Sequence, residues 1–221
     1  MSEARPSLAA GTTYARVVQK TGATILTAKD SEVQLISLAS LDTGTLARLW
    51  ENVVREGSKA EVIETMRILE PTLNGIDFLP IRHNSSIHAD SGILASVGQN
   101  RKPVPLGSLG DGMRRLLALA MALIRCKGGV LLLDEIDTGF HYSIMGALWR
   151  FVVEAARTAD VQLFATTHSL DCIRGLAWLC ENHPELGAEV SLQKMDRRLK
   201  KAVALHAEQI VMAWDQNMEV R

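Results

Sequence analysis

Asp134 and Glu135 stand side by side directly after four apolar residues, Val130 to Leu133, in the stretch G-G-V-L-L-L-D-E-I-D-T-G-F-H from Gly128 to His141. A continuous apolar run that ends in charge reads as a buried parallel strand emerging at the edge of a sheet. In open α/β sheets, ligands sit beyond the carboxyl ends of such strands. Two adjacent acids are costly there unless they bind something positive. The chemistry this pair fits is cation binding and water activation: Asp134 to hold Mg²⁺, directly or through water, and Glu135 to orient or deprotonate an attacking water. The competing reading is a strand followed by a solvated acidic turn.

Two further polar elements fall near the same edge. The stretch P-L-G-S-L-G-D-G, Pro105 to Gly112, places three glycines in six residues, and a strongly apolar helix follows. Gly110 and Gly112 let a backbone approach another group closely, and exposed N–H groups at a helix start form a ready anion site. An ordinary Gly-rich loop before a core helix explains the same letters. The second element is His168, in F-A-T-T-H-S at the end of a second apolar run, Val161 to Ala165. A histidine at that position suits contact with a terminal phosphate, although a lone histidine is more often structural.

The elements that position these residues follow from periodicity. Met113, Leu116, Leu117, Ala120, Leu123 and Ile124 keep a 3.6-residue rhythm, which predicts the helix after the glycines. A second helix is predicted from His141 to Ala156, a short one around Ile173, Leu176 and Trp178, and a last one from Glu208 to Gln216. Upstream, Asp42 reads as the N-cap of a helix carrying Leu46, Leu49, Trp50 and Val53. Ser58 with Glu61 has capping-box spacing for a helix that Pro71 stops. Ala15 to Ala28 reads as two short strands turning at Thr21-Gly22, and Glu32 to Ser40 as another. Asn74 to Arg82 and Ser86 to Val97 read as strands, and Val190 to Met195 with Ala202 to Leu205 as a hairpin tipped by the charged run Asp196 to Lys201. His83 and His88 have no Cys, Glu or His partners at ligand spacing and read as surface residues.

The totals allow a proper core: 221 residues, 47% of them hydrophobic. The formal net charge of -1 gives no global support to nucleic-acid or acidic-membrane binding. Three cysteines without a CxxC argue against a disulfide framework or zinc site. No apolar run approaches the roughly 20 residues of a membrane span. A soluble, cytoplasmic protein is expected, with no membrane partner.

The order S-L-G-D-G, then a Walker B-like L-L-L-D-E, then T-T-H-S resembles the second half of an ABC-type ATPase head. D-E-I-D-T-G-F-H and F-A-T-T-H-S are most similar to AAA-family ATPase cores of the overcoming-lysogenisation-defect and SMC-like group. The resemblance covers Pro105 to Cys180 strongly and Val33 to Leu79 more weakly. It implies a P-loop NTPase-like α/β fold with a mostly parallel sheet flanked by helices and a helical insert. One domain over residues 1–221 is expected: 1–41 as strands of an N-terminal lobe, 42–104 as helical insert and strands, and 105–221 as the core.

In that family two heads sandwich ATP. The resemblance implies that Asp134 binds Mg²⁺, Glu135 acts as general base and His168 senses the γ-phosphate. Ser108, Gly110 and Gly112 would contact ATP held by the opposite head, and Asp137 falls where the D-loop lies. The departure is the absence of any G-x-x-x-x-G-K-[ST]; Gly57-Ser58-Lys59 lacks the earlier glycine. The chain therefore resembles the C-terminal part of a head, needing a Walker A from a longer parent or another chain. A truncated product, one member of a split pair and a degenerate copy are all consistent with it. An exposed apolar edge, prone to self-association, is expected where the missing part would pack. Two other readings stay open. One is a non-catalytic module that docks on an intact head through Ser108 to Gly112. The other is contact with DNA through the Arg197 to Lys201 tip; the resemblance also allows DNA or an effector nuclease as partners reached through the partner head.

Overall fold

Alternation and helical rhythm in the sequence become an α/β structure. Its helix over Asp111–Arg125 packs against those over Thr43–Arg55, Lys59–Met66 and Met145–Thr158, and the helix over Leu170–Asn182 against those over Met145–Thr158 and Ala207–Asp215. The computed structural model describes residues 13–17, 33–37, 43–79, 92–98, 102–196 and 201–216. Two strands come first, β1 (Thr13–Val17) and β2 (Val33–Ser37). Helix α1 (Thr43–Arg55) follows, and buries Leu46, Leu49, Trp50 and Val53 at the spacing of one helical face. Gly57, at φ +74, ends it: the Gly57 N–H donates to the Val54 carbonyl and the Ser58 N–H to the Val53 carbonyl. That pair of bonds is a Schellman closure.

The closure explains why the expected capping box is not formed. Ser58 opens α2 (Lys59–Met66), but at φ -89, ψ 12 its side chain makes no cap hydrogen bond. An N-cap side chain reaches back from an extended backbone, and here the backbone already serves α1. Glu61 instead pairs with Lys127 at 3.4 Å. The proposed Asp42 cap, the Thr21-Gly22 turn, His83, His88 and residues 197–200 of the charged tip lie outside the described residues.

Strands β3 (Leu73–Phe78), β4 (Ile93–Val97) and β5 (Val104–Pro105) form a small antiparallel sheet in that order. Trp50 stacks on Phe78, centroids 5.0 Å apart, and ties α1 to this sheet. A 3-10 turn over Leu106–Leu109 then leads into α3 (Asp111–Arg125). Every residue from Leu117 to Leu123 is fully buried, so the middle of α3 is covered on all sides, whereas Arg114, Arg115 and Arg125 keep its ends partly exposed. A stretch that is apolar all round belongs in a core. After it come β6 (Val130–Asp134), a 3-10 turn at Tyr142–Ile144, α4 (Met145–Thr158), β7 (Gln162–Thr167) and α5 (Leu170–Asn182). The chain continues through short α6 (Pro184–Gly187), β8 (Val190–Asp196), β9 (Lys201–His206) and α7 (Ala207–Asp215).

Among the described residues the large sheet has six strands in the order β2-β6-β7-β1-β8-β9. It is parallel across β2-β6-β7. Beyond β7 it is antiparallel, because β1 runs against both β7 and β8, and β9 folds back on β8 as a hairpin. The sheet is therefore mixed rather than mostly parallel. Leu131, Leu133, Leu163 and Ala165 are buried on one face, whereas Val130, Leu132, Gln162 and Phe164 on the other are partly buried. The apolar run of β6 predicted burial on both faces, and only one is fully covered. Among the described residues β2 is the outermost strand, and its Val33 and Leu35 are exposed, Leu35 at 70%. No helix among the described residues is long and apolar enough to cross a membrane.

Candidate functional site

Strands β6 and β7 run parallel and end together, which sets the residues that follow them side by side. Asp134 is the last residue of β6 and Glu135 the first beyond it; both side chains are exposed. Glu135 has φ +50, a left-handed conformation uncommon for any residue but glycine. This turns the chain sharply away from the strand. Thr138 N–H then bonds the Glu135 carbonyl at 3.0 Å, and Phe140 N–H the Asp137 carbonyl at 3.2 Å. Gly139, φ +77, lets the turn finish over Arg115, so close that a Cβ there would lie 2.2 Å from the Arg115 Nε.

The end of β7 holds this turn. The Thr166 hydroxyl donates to Asp134 Oδ1 at 2.6 Å and accepts the Glu135 N–H at 2.9 Å. The Thr166 carbonyl accepts the Ile136 N–H at 3.1 Å. The Thr138 hydroxyl donates to Glu135 Oε2 at 3.1 Å. One residue on, the buried Thr167 hydroxyl donates to Asp137 Oδ1 and accepts the Ser169 N–H at 3.0 Å. Ser169 caps α5 by accepting the Cys172 N–H. His168 lies between these anchored residues, exposed at the strand's carboxyl end.

The glycine-rich loop meets the same turn from α3. A Cβ on Gly112 would lie 3.2 Å from the Phe140 ring, so the close approach inferred for Gly112 is to this chain's own aromatic side chain. Gly110 has open space around it and adopts φ 107, ψ 149, a region that is essentially glycine's alone. Ser108 is exposed in the 3-10 turn, its hydroxyl donating to the Pro105 carbonyl at 2.7 Å. The structure thus brings together Asp134, Glu135, Asp137 and His168, and sets Gly112 against their turn. Ser108 and Gly110 stand on the exposed loop ahead of it.

Thr166 and Thr167 were missed by sequence reasoning. Their signal was present in T-T-H-S, where strand alternation places neighbouring hydroxyls on opposite faces. Threonine is also an ordinary strand former, which hides such a role.

Among the described residues no group of three or more His, Cys, Asp or Glu is arranged to hold a metal ion. Mg²⁺ in nucleotide sites needs less, because one or two carboxylates share it with phosphate oxygens and water. The exposed, oriented Asp134 carboxylate fits an ion that arrives with a nucleotide. Two cavities, of about 610 Å³ beside α7 and about 400 Å³ between α2, α3 and α4, are lined by none of these residues.

Comparison with known proteins adds a family. The family described as "AAA domain, putative AbiEii toxin, Type IV TA system" matches residues 25–171, more than half of the chain. A protein of Helicobacter pylori named "ATP/GTP phosphatase" is 26% identical over 91 residues, which are 40% of this chain and 25% of that protein. The match therefore spans only a quarter of that relative's length. An uncharacterized protein of Methanocaldococcus jannaschii is 30% identical over 89 residues, 40% of this chain and 75% of that protein.

Proposed function

The chain belongs to this AAA-domain family, and from that premise we propose that it forms the Walker B, signature and switch-histidine part of a Mg²⁺-dependent ATP-hydrolysing head. Nucleotide-binding, ATPase-like function at the family level is supported by the family match and by the similarity to a protein named for ATP/GTP phosphatase activity. The finer assignment rests on one observation: parallel β6 and β7 end side by side, with Asp134 and Asp137 bonded to the threonines that directly precede His168.

Asp134 holds the cation, and Mg²⁺, when bound, neutralises charge on the phosphates. Glu135, whose Oε2 is fixed by Thr138, orients or deprotonates the attacking water. His168 reaches the γ-phosphate from the end of β7. Ser108 and Gly110 offer their exposed loop to the nucleotide of an opposing head, and Asp137 lines that junction. The phosphate grip itself, a loop of backbone N–H groups with a lysine, comes from outside these residues, since the sequence has no G-x-x-x-x-G-K-[ST].

The test is turnover by the protein purified from its own cells with its natural companions. Glu135→Gln is expected to lower kcat about 10²- to 10⁴-fold, the usual worth of a general base. Hydrolysis at the unmutated rate would sink the assignment. The missing phosphate loop favours a second reading, a non-catalytic module that docks on an intact head through Ser108 to Gly112. In that case Gly110→Asp, which strains a backbone at φ 107, abolishes pairing with an ATP-loaded head while no Glu135-dependent turnover is found.

A further inference from the structure

Two adjacent carboxylates repel each other and need something to keep each in place. We infer that Thr166 is a positioning residue for the Asp134–Glu135 pair and Thr167 for Asp137, so that the end of β7 and the acid turn work as one hydrogen-bonded unit with His168 in its middle. The inference deepens the hydrolytic reading above and rests on it for its catalytic consequence.

Three features carry it. First, a single Thr166 oxygen serves both acids, donating to Asp134 Oδ1 at 2.6 Å and accepting the Glu135 N–H at 2.9 Å. The first distance is that of a charge-assisted bond. A carboxylate has two oxygens, so binding one of them to Thr166 fixes the orientation in which Asp134 meets a cation. Second, Glu135 sits at φ +50, and a non-glycine residue stays there only when its surroundings over-determine it. Thr166 supplies that constraint twice, through its hydroxyl to Glu135 and its carbonyl to Ile136. Third, Thr167 is 1% exposed and links Asp137 to the Ser169 N–H at the start of α5. Residues on both sides of His168 are therefore tied to the acids.

The experiment compares Thr166→Val, which keeps the side-chain shape without the hydroxyl, with Thr166→Ser, which keeps the hydroxyl. In the 221-residue chain, amide hydrogen exchange at Glu135 and Ile136 is expected to rise about tenfold in the valine variant, the loss of one hydrogen bond. It should return to near the wild-type rate in the serine variant. Protection across α3 should not change in either, which controls for folding. In the natively purified protein, Thr166→Val should lower kcat about 10- to 100-fold, as for other groups that orient metal ligands. KM for ATP should stay unchanged, and serine should restore turnover. Unchanged exchange at Glu135, or a valine variant that hydrolyses ATP at the wild-type rate, overturns the assignment. If the wild type itself does not hydrolyse ATP, the hydrolytic reading fails, and the exchange rates still decide whether Thr166 holds the turn.

Discussion

Burial pushes the Cys172 thiol from its ordinary 9.0 up to about 12, while the Thr167 hydrogen bond pulls it back and the Asp137 charge adds to the rise. Cys180, also buried, is pushed up to about 11. A folded-state value above the unfolded one means that both states hold the proton below pH 9 and the stability is fully present. Between about 9 and 12 the unfolded chain gives up the proton and the folded chain does not, so stability falls as pH rises. The Cys172 share is up to about 1.4 kcal/mol per pH unit. Urea denaturation from pH 8 to 10.5 should show this decline, and Cys172→Ala should lessen it by the Cys172 share, leaving that of Cys180; an unchanged slope in the variant would contradict the burial argument. At this scale the sequence made the charged residues legible and left the hydroxyls hidden. Asp134, Glu135 and His168 interrupt apolar runs, and an interruption is visible in one dimension. Thr166 and Thr167 continue a strand, and their partners, Asp134 and Asp137, lie some thirty residues upstream.

Helices α4 and α5 approach closely because each contributes a glycine to the contact. A Cβ on Gly175 would lie 2.5 Å from the Met145 Cβ and 2.6 Å from its carbonyl carbon, and one on Gly146 would lie 2.5 Å from the Trp178 ring. Backbone atoms cannot yield as a flexible side chain can. Gly175→Ala is therefore expected to cost about 1–3 kcal/mol or more through overpacking, read as a lower urea midpoint. Gly107→Ala, with nothing within 4 Å, should leave the midpoint nearly unchanged. Equal midpoints for the two variants would contradict the packing. Helix existence was legible, since α1, α3, α4 and α5 fall where apolar residues at helical spacing placed them, and α7 lies where a last helix over Glu208 to Gln216 was expected. The Ser58 cap was not, because the letters S-x-x-E are the same whether the serine opens one helix or closes the one before it. The glycine contacts were also illegible, since a helical glycine announces nothing about its neighbour.

Across the whole molecule, sheet pairing was the least legible feature. The aliphatic runs of β6 and β7 announced parallel strands, and these two do pair in parallel. Nothing local announced that β1 would enter between β7 and β8 and turn the rest of the sheet antiparallel. Pairing direction between strands some 150 residues apart is set by the assembled core, not by either segment. The position of the acids at the end of the parallel block, with β2 as an apolar outer edge, is what gives the site its place. The proposed role most open to direct test is that of Asp134 as holder of the cation of a bound nucleotide. The most direct test is calorimetric titration of MgATP into the protein purified with its natural companions, beside the same preparation carrying Asp134→Ala. If Asp134 holds the cation, binding is saturable in the first and at least about tenfold weaker in the second, the usual cost of losing a metal-site group. Equal affinity in the two would contradict it.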